Sequence, residues 1–121
     1  MARAVVLTAD LLFGSNIQGA LVAAGHEVQI VAGEDALRAV LIEGPRDVVV
    51  VDLTDHELEA VQAVRELRDE GFLDRVPVLG YYSHVEPAVR ALAEAEGFQR
   101  VVARSRMARE AAGLIEGLTG G

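Results

Sequence analysis

Short runs of apolar residues alternate along the chain with segments in which apolar residues recur every three or four positions. The runs are rich in Val, Leu, Ile and Ala, and they predict five strands, at Ala4–Thr8, Glu27–Val31, Asp47–Asp52, Val76–Tyr81 and Arg100–Ala103. Helical spacing follows each run, and the first four helical segments end close to a glycine. The pattern therefore predicts five consecutive strand-then-helix units.

Strands made almost wholly of aliphatic residues are typical of a parallel sheet that helices cover on both faces. Five units are too few for a closed eight-stranded barrel. We therefore predict an α/β fold, a single domain over residues 1–121 with an open, doubly wound (βα)5 sheet in a three-layer sandwich. In such sheets the site lies at the carboxyl ends of the strands. The residues expected there are Asp10, Asp52, Tyr82, Ser83 and Arg104.

The amino-acid composition and net charge exclude several kinds of catalytic chemistry and disfavour some partners. The 121 residues carry a formal charge of −8, contain no Cys, and include 11 basic residues that are all Arg. Thiol chemistry, Schiff-base lysines and the phosphate-loop lysine are therefore excluded. An acidic chain also disfavours nucleic acid and anionic membranes as partners. Since no apolar run is long enough to span a bilayer and Asp10 interrupts the N-terminal apolar segment, we expect a cytoplasmic protein.

Two carboxylates follow strands directly. Asp10 and Asp52 should meet at one edge of the sheet, where they could hold a divalent cation, and Asp52 could act as a nucleophile toward a phosphoryl group. Arg104 would add a positive charge, and Tyr82 or Ser83 a hydroxyl, to the same pocket. The structural alternative is that each Asp caps the loop that follows its strand.

The whole chain resembles the receiver domain of two-component response regulators, which has a CheY-like, flavodoxin-like fold. Asp52, in the segment VVVDL, matches the phosphoacceptor, and Asp10, in LTAD, matches the second member of the family's acidic pair. The segment PVLGYYS places Tyr82 at the hydroxyl position with Ser83 beside it. The segment GFQRVVAR places Arg104 where the family has Lys.

Several positions depart from the family pattern. Ala9 stands where the first acid is usual, Arg104 replaces Lys, and Val101 stands where many receivers have a switching aromatic residue. Tyr82 is bulkier than the usual small hydroxyl residue and would crowd a phosphoryl group. Because a guanidinium can clamp a carboxylate, we expect an atypical receiver in which Arg104 pairs with Asp52 and phosphorylation is lost or impaired.

The resemblance implies a regulatory domain, not an enzyme, that signals through protein contacts. Its partners would be a histidine kinase or an effector protein, and a second copy could dock on the face of the fourth helix, fifth strand and last helix. If the pocket is functional, Mg²⁺ would be held by Asp10, Asp52 and the backbone carbonyl of Thr54.

Two alternatives stay open. The first is a magnesium-dependent receiver that is phosphorylated at Asp52 in a two-component phosphorelay. The second belongs to another class: a small metal- or phosphate-dependent hydrolase that uses His84 with the two acids, or a metal site that adds His56.

Overall fold

Strands and helices alternate strictly along the chain in the computed structural model, which describes residues 1–54, 57–83 and 87–120. The described strands are β1 (Arg3–Leu7), β2 (Glu27–Val31), β3 (Val48–Asp52), β4 (Val78–Tyr82) and β5 (Arg100–Ala103). The helices between and after them are α1 (Leu11–Ala23), α2 (Glu34–Glu43), α3 (Glu57–Asp69), α4 (Pro87–Ala95) and α5 (Arg104–Thr119). The five predicted strand-then-helix units are confirmed.

All five described strands pair in parallel in one sheet, in the order β2-β1-β3-β4-β5. Val5 of β1, for example, lies beside Gln29 of β2 on one side and Val49 of β3 on the other. The doubly wound α/β fold predicted from the aliphatic runs is therefore confirmed.

The core forms two layers, one on each face of the sheet. Alternate residues of the strands point to opposite faces, so Val5 packs with α2, α3 and α4 while Val6 packs with α1 and α5. Val49 and Val50 divide in the same way. Both faces of the central strands are thus buried, which explains why β3 carries four consecutive valines.

The ends of three strands differ from the prediction by one or two residues, and in β3 the difference is only that it begins at Val48 instead of Asp47. β4 begins at Val78 instead of Val76, because Pro77 has no amide hydrogen to donate to the ladder. β1 ends at Leu7, so Thr8 lies just beyond the strand and its side chain is free to take part in the loop. The position of Thr8 just beyond β1 matters for the candidate site, which lies at this end of the strands.

The order of the strands reverses between β1 and β3. From β1 the chain crosses through α1 to β2 at one edge, and from β3 it crosses through α3 to β4 on the other side. The carboxyl ends of β1 and β3 therefore lie at the switch point, where ligands bind in open α/β sheets. Among the described helices, none has the length and apolar character that a bilayer span needs.

Gly80 lies where the sheet packs tightly against the side chains of Leu53 and Phe98. A Cβ at this position in β4 would lie 2.8 Å from Cδ1 of Leu53 and 3.0 Å from Cδ2 of Phe98. We expect Gly80→Ala to lower the free energy of unfolding by about 1–3 kcal/mol in denaturant titrations, because the core must move to admit the methyl group.

The matched control is Gly113→Ala in α5, where a Cβ would meet no atom within 4 Å. This variant should be as stable as the wild type or gain up to about 1 kcal/mol, since alanine favours helix. Equal stability of the Gly80→Ala variant and the wild type would contradict the packing described here.

Candidate functional site

Asp52 is the last residue of β3 and is half-buried. Its Oδ2 accepts a hydrogen bond from the hydroxyl of Thr8 at 2.6 Å. Its Oδ1 accepts two more, from the amide of Thr54 at 2.7 Å and from the hydroxyl of Thr54. An Asp that bonds to the backbone two residues on is a common way to turn the chain after a strand. Both carboxylate oxygens are therefore held by protein donors.

Thr8 is the residue that the sequence analysis missed. It is almost completely buried, and its amide donates to the carbonyl of Val31 at 2.9 Å. Its hydroxyl oxygen accepts the amide of Asp10 at 3.0 Å while its proton goes to Asp52. The β1–β3 register could have indicated the role of Thr8. It pairs Leu7 with Val51, so the residue after β1 lies alongside Asp52.

Asp10 is the N-cap of α1. Its Oδ1 accepts the amide of Phe13 at 3.0 Å, which satisfies one of the free amides at the start of the helix. Its Oδ2 accepts Nη2 of Arg104 at 3.2 Å. The predicted meeting of Asp10 and Asp52 at one edge is observed, with Thr8 hydrogen-bonded to both residues.

Arg104 is the first residue of α5, and its side chain is 44% exposed. The predicted ion pair between Arg104 and Asp52 is wrong, because the guanidinium pairs with Asp10 through a single nitrogen instead. Two features explain the difference. The oxygens of Asp52 are already taken by Thr8 and Thr54, and the ring of Phe13 offers a platform, with Cζ of Arg104 4.2 Å from the ring centroid.

On β4 the residue paired with Asp52 is Tyr81, whereas the sequence predicts a hydroxyl from Tyr82 or Ser83 in the pocket. Tyr82 is half-buried and packs on the face of the sheet covered by α2, α3 and α4, whereas Ser83 is exposed. Among the described contacts, neither donates to Asp10 or Asp52, so a role for either in the pocket stays a prediction.

Tyr81 lies on the opposite face and is fully buried, with its ring centroid 5.1 Å from that of Phe13. Burial raises the pKa of the Tyr81 hydroxyl above its usual value, and the charge of Asp52 acts in the same direction. Its hydroxyl lies near Thr8 and Asp52 without a well-aligned hydrogen bond to any described residue. The pair of tyrosines at the end of the fourth apolar run was the available signal, but the alternation of the strand decides which of them faces Thr8 and Asp52.

The oxygen ligands that Asp10, Asp52 and Thr54 offer are of the kind that Mg²⁺ binds. Mg²⁺ binds oxygen ligands and is often held by one or two carboxylates with several waters, so Asp10 and Asp52 allow it. In this structure both carboxylates are engaged by protein donors, so a cation that binds Asp52 shares its oxygens with the hydroxyls of Thr8 and Thr54 or displaces them. Thr54 contacts Asp52 through its amide and hydroxyl, and the proposed use of its carbonyl stays a prediction.

The two histidines proposed as metal ligands, His56 and His84, lie outside the described residues. Within the described part of the chain, no group of three or more His, Cys, Asp or Glu side chains is placed to hold a metal ion.

Comparison with known proteins connects this geometry to one fold. No protein-family model matches the chain, and no curated protein matches it in sequence. Solved structures do match. The chemotaxis protein CheY4 of Vibrio cholerae has a TM-score of 0.86 at 16% identity, and the match covers 98% of each chain.

Two further structures agree with that match. The receiver domain of the response regulator NarL from Mycobacterium tuberculosis has a TM-score of 0.82 at 20% identity, covering 99% of this chain and 97% of that one. The receiver domain of a sensor histidine kinase from Pseudomonas aeruginosa, solved with magnesium coordinated in its active-site cleft, has a TM-score of 0.84 at 18% identity, covering 99% and 98%. The resemblance noted in the sequence is thereby confirmed at the level of architecture: this chain has the CheY-like fold of response-regulator receiver domains.

Proposed function

We propose that the chain is a receiver-like regulatory domain that acts through protein contacts and in which phosphorylation at Asp52 is lost or impaired. The observation that carries this proposal is the hydrogen bonding of Asp52, whose two oxygens accept the hydroxyls of Thr8 and Thr54 and the amide of Thr54. A carboxylate held in this way is a weaker nucleophile, since the hydrogen bonds stabilise the negative charge that would attack.

The surroundings of Asp52 support the same conclusion. Transfer of a phosphoryl group gathers negative charge, which fixed cations or a metal ion must stabilise. The side chain that contacts Asp52 from the end of β1 is the neutral hydroxyl of Thr8. Arg104, the cation at the position of the family's Lys, is held on Asp10 and Phe13. Among the described contacts, Asp52 therefore has no basic side chain as a partner.

Output through protein contacts is the part of the proposal that depends on surfaces. Leu11 and Leu12 are 68% and 78% exposed at the start of α1, directly after Asp10. A change in the Asp10–Arg104 ion pair would therefore alter the backbone next to the exposed apolar side chains of Leu11 and Leu12. The proposed homodimer face of α4, β5 and α5 carries Arg106 and Arg109, both of which already pair with Glu110 on their own helix.

The second candidate is a phosphorylatable receiver that uses magnesium. It is favoured by the magnesium in the active-site cleft of the Pseudomonas aeruginosa receiver domain and by the presence of Asp10 and Asp52 at the same edge of this sheet. The third candidate, a hydrolase, depends on His84, which lies outside the described residues.

Intact mass spectrometry separates the first two candidates. After incubation with acetyl phosphate and Mg²⁺, we expect the wild-type protein to keep its mass, because Asp52 is held by hydroxyl donors. The Asp52→Asn variant is the control for modification elsewhere. A phosphoryl adduct on the wild type that is absent from Asp52→Asn would overturn the proposal in favour of the phosphorylatable receiver.

A gain of magnesium binding provides an independent test. Thr8→Asp replaces the donor beside Asp52 with a second carboxylate, so we expect the variant to lose about 1–3 kcal/mol of stability without metal. Added Mg²⁺ should raise its thermal midpoint, while that of the wild type changes little.

Ser15→Asp, which adds the same charge at an exposed position in α1, is the matched control and should respond to Mg²⁺ as the wild type does. If the wild type and Thr8→Asp respond equally to Mg²⁺, the hydroxyl of Thr8 is not what limits the metal site.

A further inference from the structure

A cavity of about 320 Å³ lies at the end of the sheet opposite to Asp52. It opens beneath the amino ends of the strands, since its lining includes Ala2 just before β1, Asp47 just before β3 and Pro77 just before β4. The last turn of α5 also lines it. We call it the amino-end cavity. Its volume is at the lower limit of small-molecule sites, so it fits a small ligand.

Arg46 lines this cavity and is only 7% exposed. Its Nη1 donates to the carbonyls of Gly44 at 2.9 Å and Pro45 at 3.3 Å, and its Nη2 donates to Oε1 of Gln29. A guanidinium has five N–H donors, so these three hydrogen bonds leave two. All three acceptors are neutral, and no ion pair between described residues includes Arg46.

A buried guanidinium without a carboxylate partner is unusual. Removing a charge from water is costly, and neutral acceptors offset only part of that cost, so buried charges normally have a partner of opposite sign. A buried group that departs from this rule often marks the binding place of an ion or a ligand. The partner that Arg46 lacks among the described residues is an anion, and Arg46 lines a cavity that can admit one.

Arg75 brings a second positive charge to the amino-end cavity from the loop between α3 and β4. It is exposed, and it takes part in none of the ion pairs between described residues. Its φ of 63° lies in the left-handed region, which asparagine tolerates better than most residues. Arg75→Asn therefore removes the charge without straining the loop.

Negative charge in the cavity is smaller. Asp47 is the one carboxylate among the described lining residues, and its Oδ2 accepts the amide of Arg3 at 2.7 Å. The carboxyl end of α5 adds a partial negative charge. His26 contributes no charge in this arrangement, because its Nδ1 accepts the amide of Ala2 at 2.9 Å. Since Asp47 and the helix end oppose an anion, the two arginines must provide the affinity.

We infer that the amino-end cavity binds a small oxyanion of the phosphate class through Arg46 and Arg75. A phosphate group carries between one and two negative charges at neutral pH, which matches two guanidinium groups, and its oxygens fit guanidinium donors. The shared chemistry is that of inorganic phosphate and of a small phosphomonoester. This inference goes beyond the proposed function, since the cavity lies far along the strands from Asp52 and does not depend on its state.

The experiment is a titration of ¹⁵N-labelled protein with sodium phosphate at constant pH and ionic strength, followed by NMR. We expect saturable shifts in the amides of residues 26, 46–47 and 75, with little change in residues 8–10 and 52–54. Arg75→Asn should weaken phosphate binding about ten-fold, because it removes one of the two cations. Saturable shifts confined to residues 8–10 and 52–54, or no saturable shifts at all, would overturn the inference.

Arg100→Asn is the matched control. Arg100 is exposed and begins β5 at the same end of the sheet, but it does not line the cavity. This variant should change the affinity for phosphate less than two-fold. Equal losses in Arg75→Asn and Arg100→Asn would overturn the inference and indicate general attraction to positive charge.

Asp47→Asn tests the sign of the ligand. It keeps a side-chain oxygen for the amide of Arg3 and removes the opposing charge, so phosphate should bind about three-fold more tightly. Weaker binding of phosphate to this variant would overturn the inference. Arg46→Lys keeps the charge but removes the planar fork, and it should weaken binding at least five-fold. Where the amide spectrum shows that Arg46→Lys does not fold, Arg75→Asn and Asp47→Asn decide the outcome.

Two further titrations identify the anion. Glycerol 3-phosphate that binds more tightly than inorganic phosphate supports the inference with a phosphorylated small molecule as the ligand, and equal affinities support it with phosphate itself. Sodium chloride should produce no saturable shifts at residues 26, 46–47 and 75. If chloride produces the same shifts as phosphate at equal concentration, the cavity does not select oxyanions and the inference is overturned.

Discussion

The hydrogen bond from the Thr8 hydroxyl to Asp52 joins the two strands at which the sheet reverses its order. It exists because the parallel β1–β3 register brings the residue after β1 alongside the last residue of β3. The hydroxyl also accepts the amide of Asp10, which fixes its orientation and connects the start of α1 to the same point. Asp10 in turn holds Arg104, so β1, β3, α1 and α5 are coupled through one small set of polar contacts.

On the function proposed above, this coupling would let the pocket communicate with a surface without phosphorylation of Asp52. The hydroxyls of Thr8 and Thr54 already hold both oxygens of Asp52 in one arrangement. The ion pair between Asp10 and Arg104 is half-exposed, so its own contribution to stability is small. It is therefore suited to changing when a partner or ligand approaches, with the exposed Leu11 and Leu12 beside it.

The sequence predicted the fold well because aliphatic runs and the breaks between them reflect burial on both faces of a sheet. It also predicted that Asp10 and Asp52 share an edge, which follows from parallel strands alone. It could not predict the partner of Arg104, since that choice depends on the ring of Phe13 and on the hydrogen bonds that Asp52 already accepts. Thr8 and Tyr81 were missed for a related reason: their roles depend on register and strand alternation close to the end of a strand, where sequence patterns locate boundaries least well.

The central proposal is that the hydroxyl of Thr8 holds Asp52 and thereby weakens its binding of Mg²⁺. A high-resolution crystal structure grown in the presence of Mg²⁺ tests it most directly. We predict that Oγ1 of Thr8 stays within hydrogen-bonding distance of Oδ2 of Asp52, near the 2.6 Å described above, with no cation between Asp10 and Asp52. A magnesium ion coordinated by Asp52, with the Thr8 side chain rotated away from it, would contradict the account.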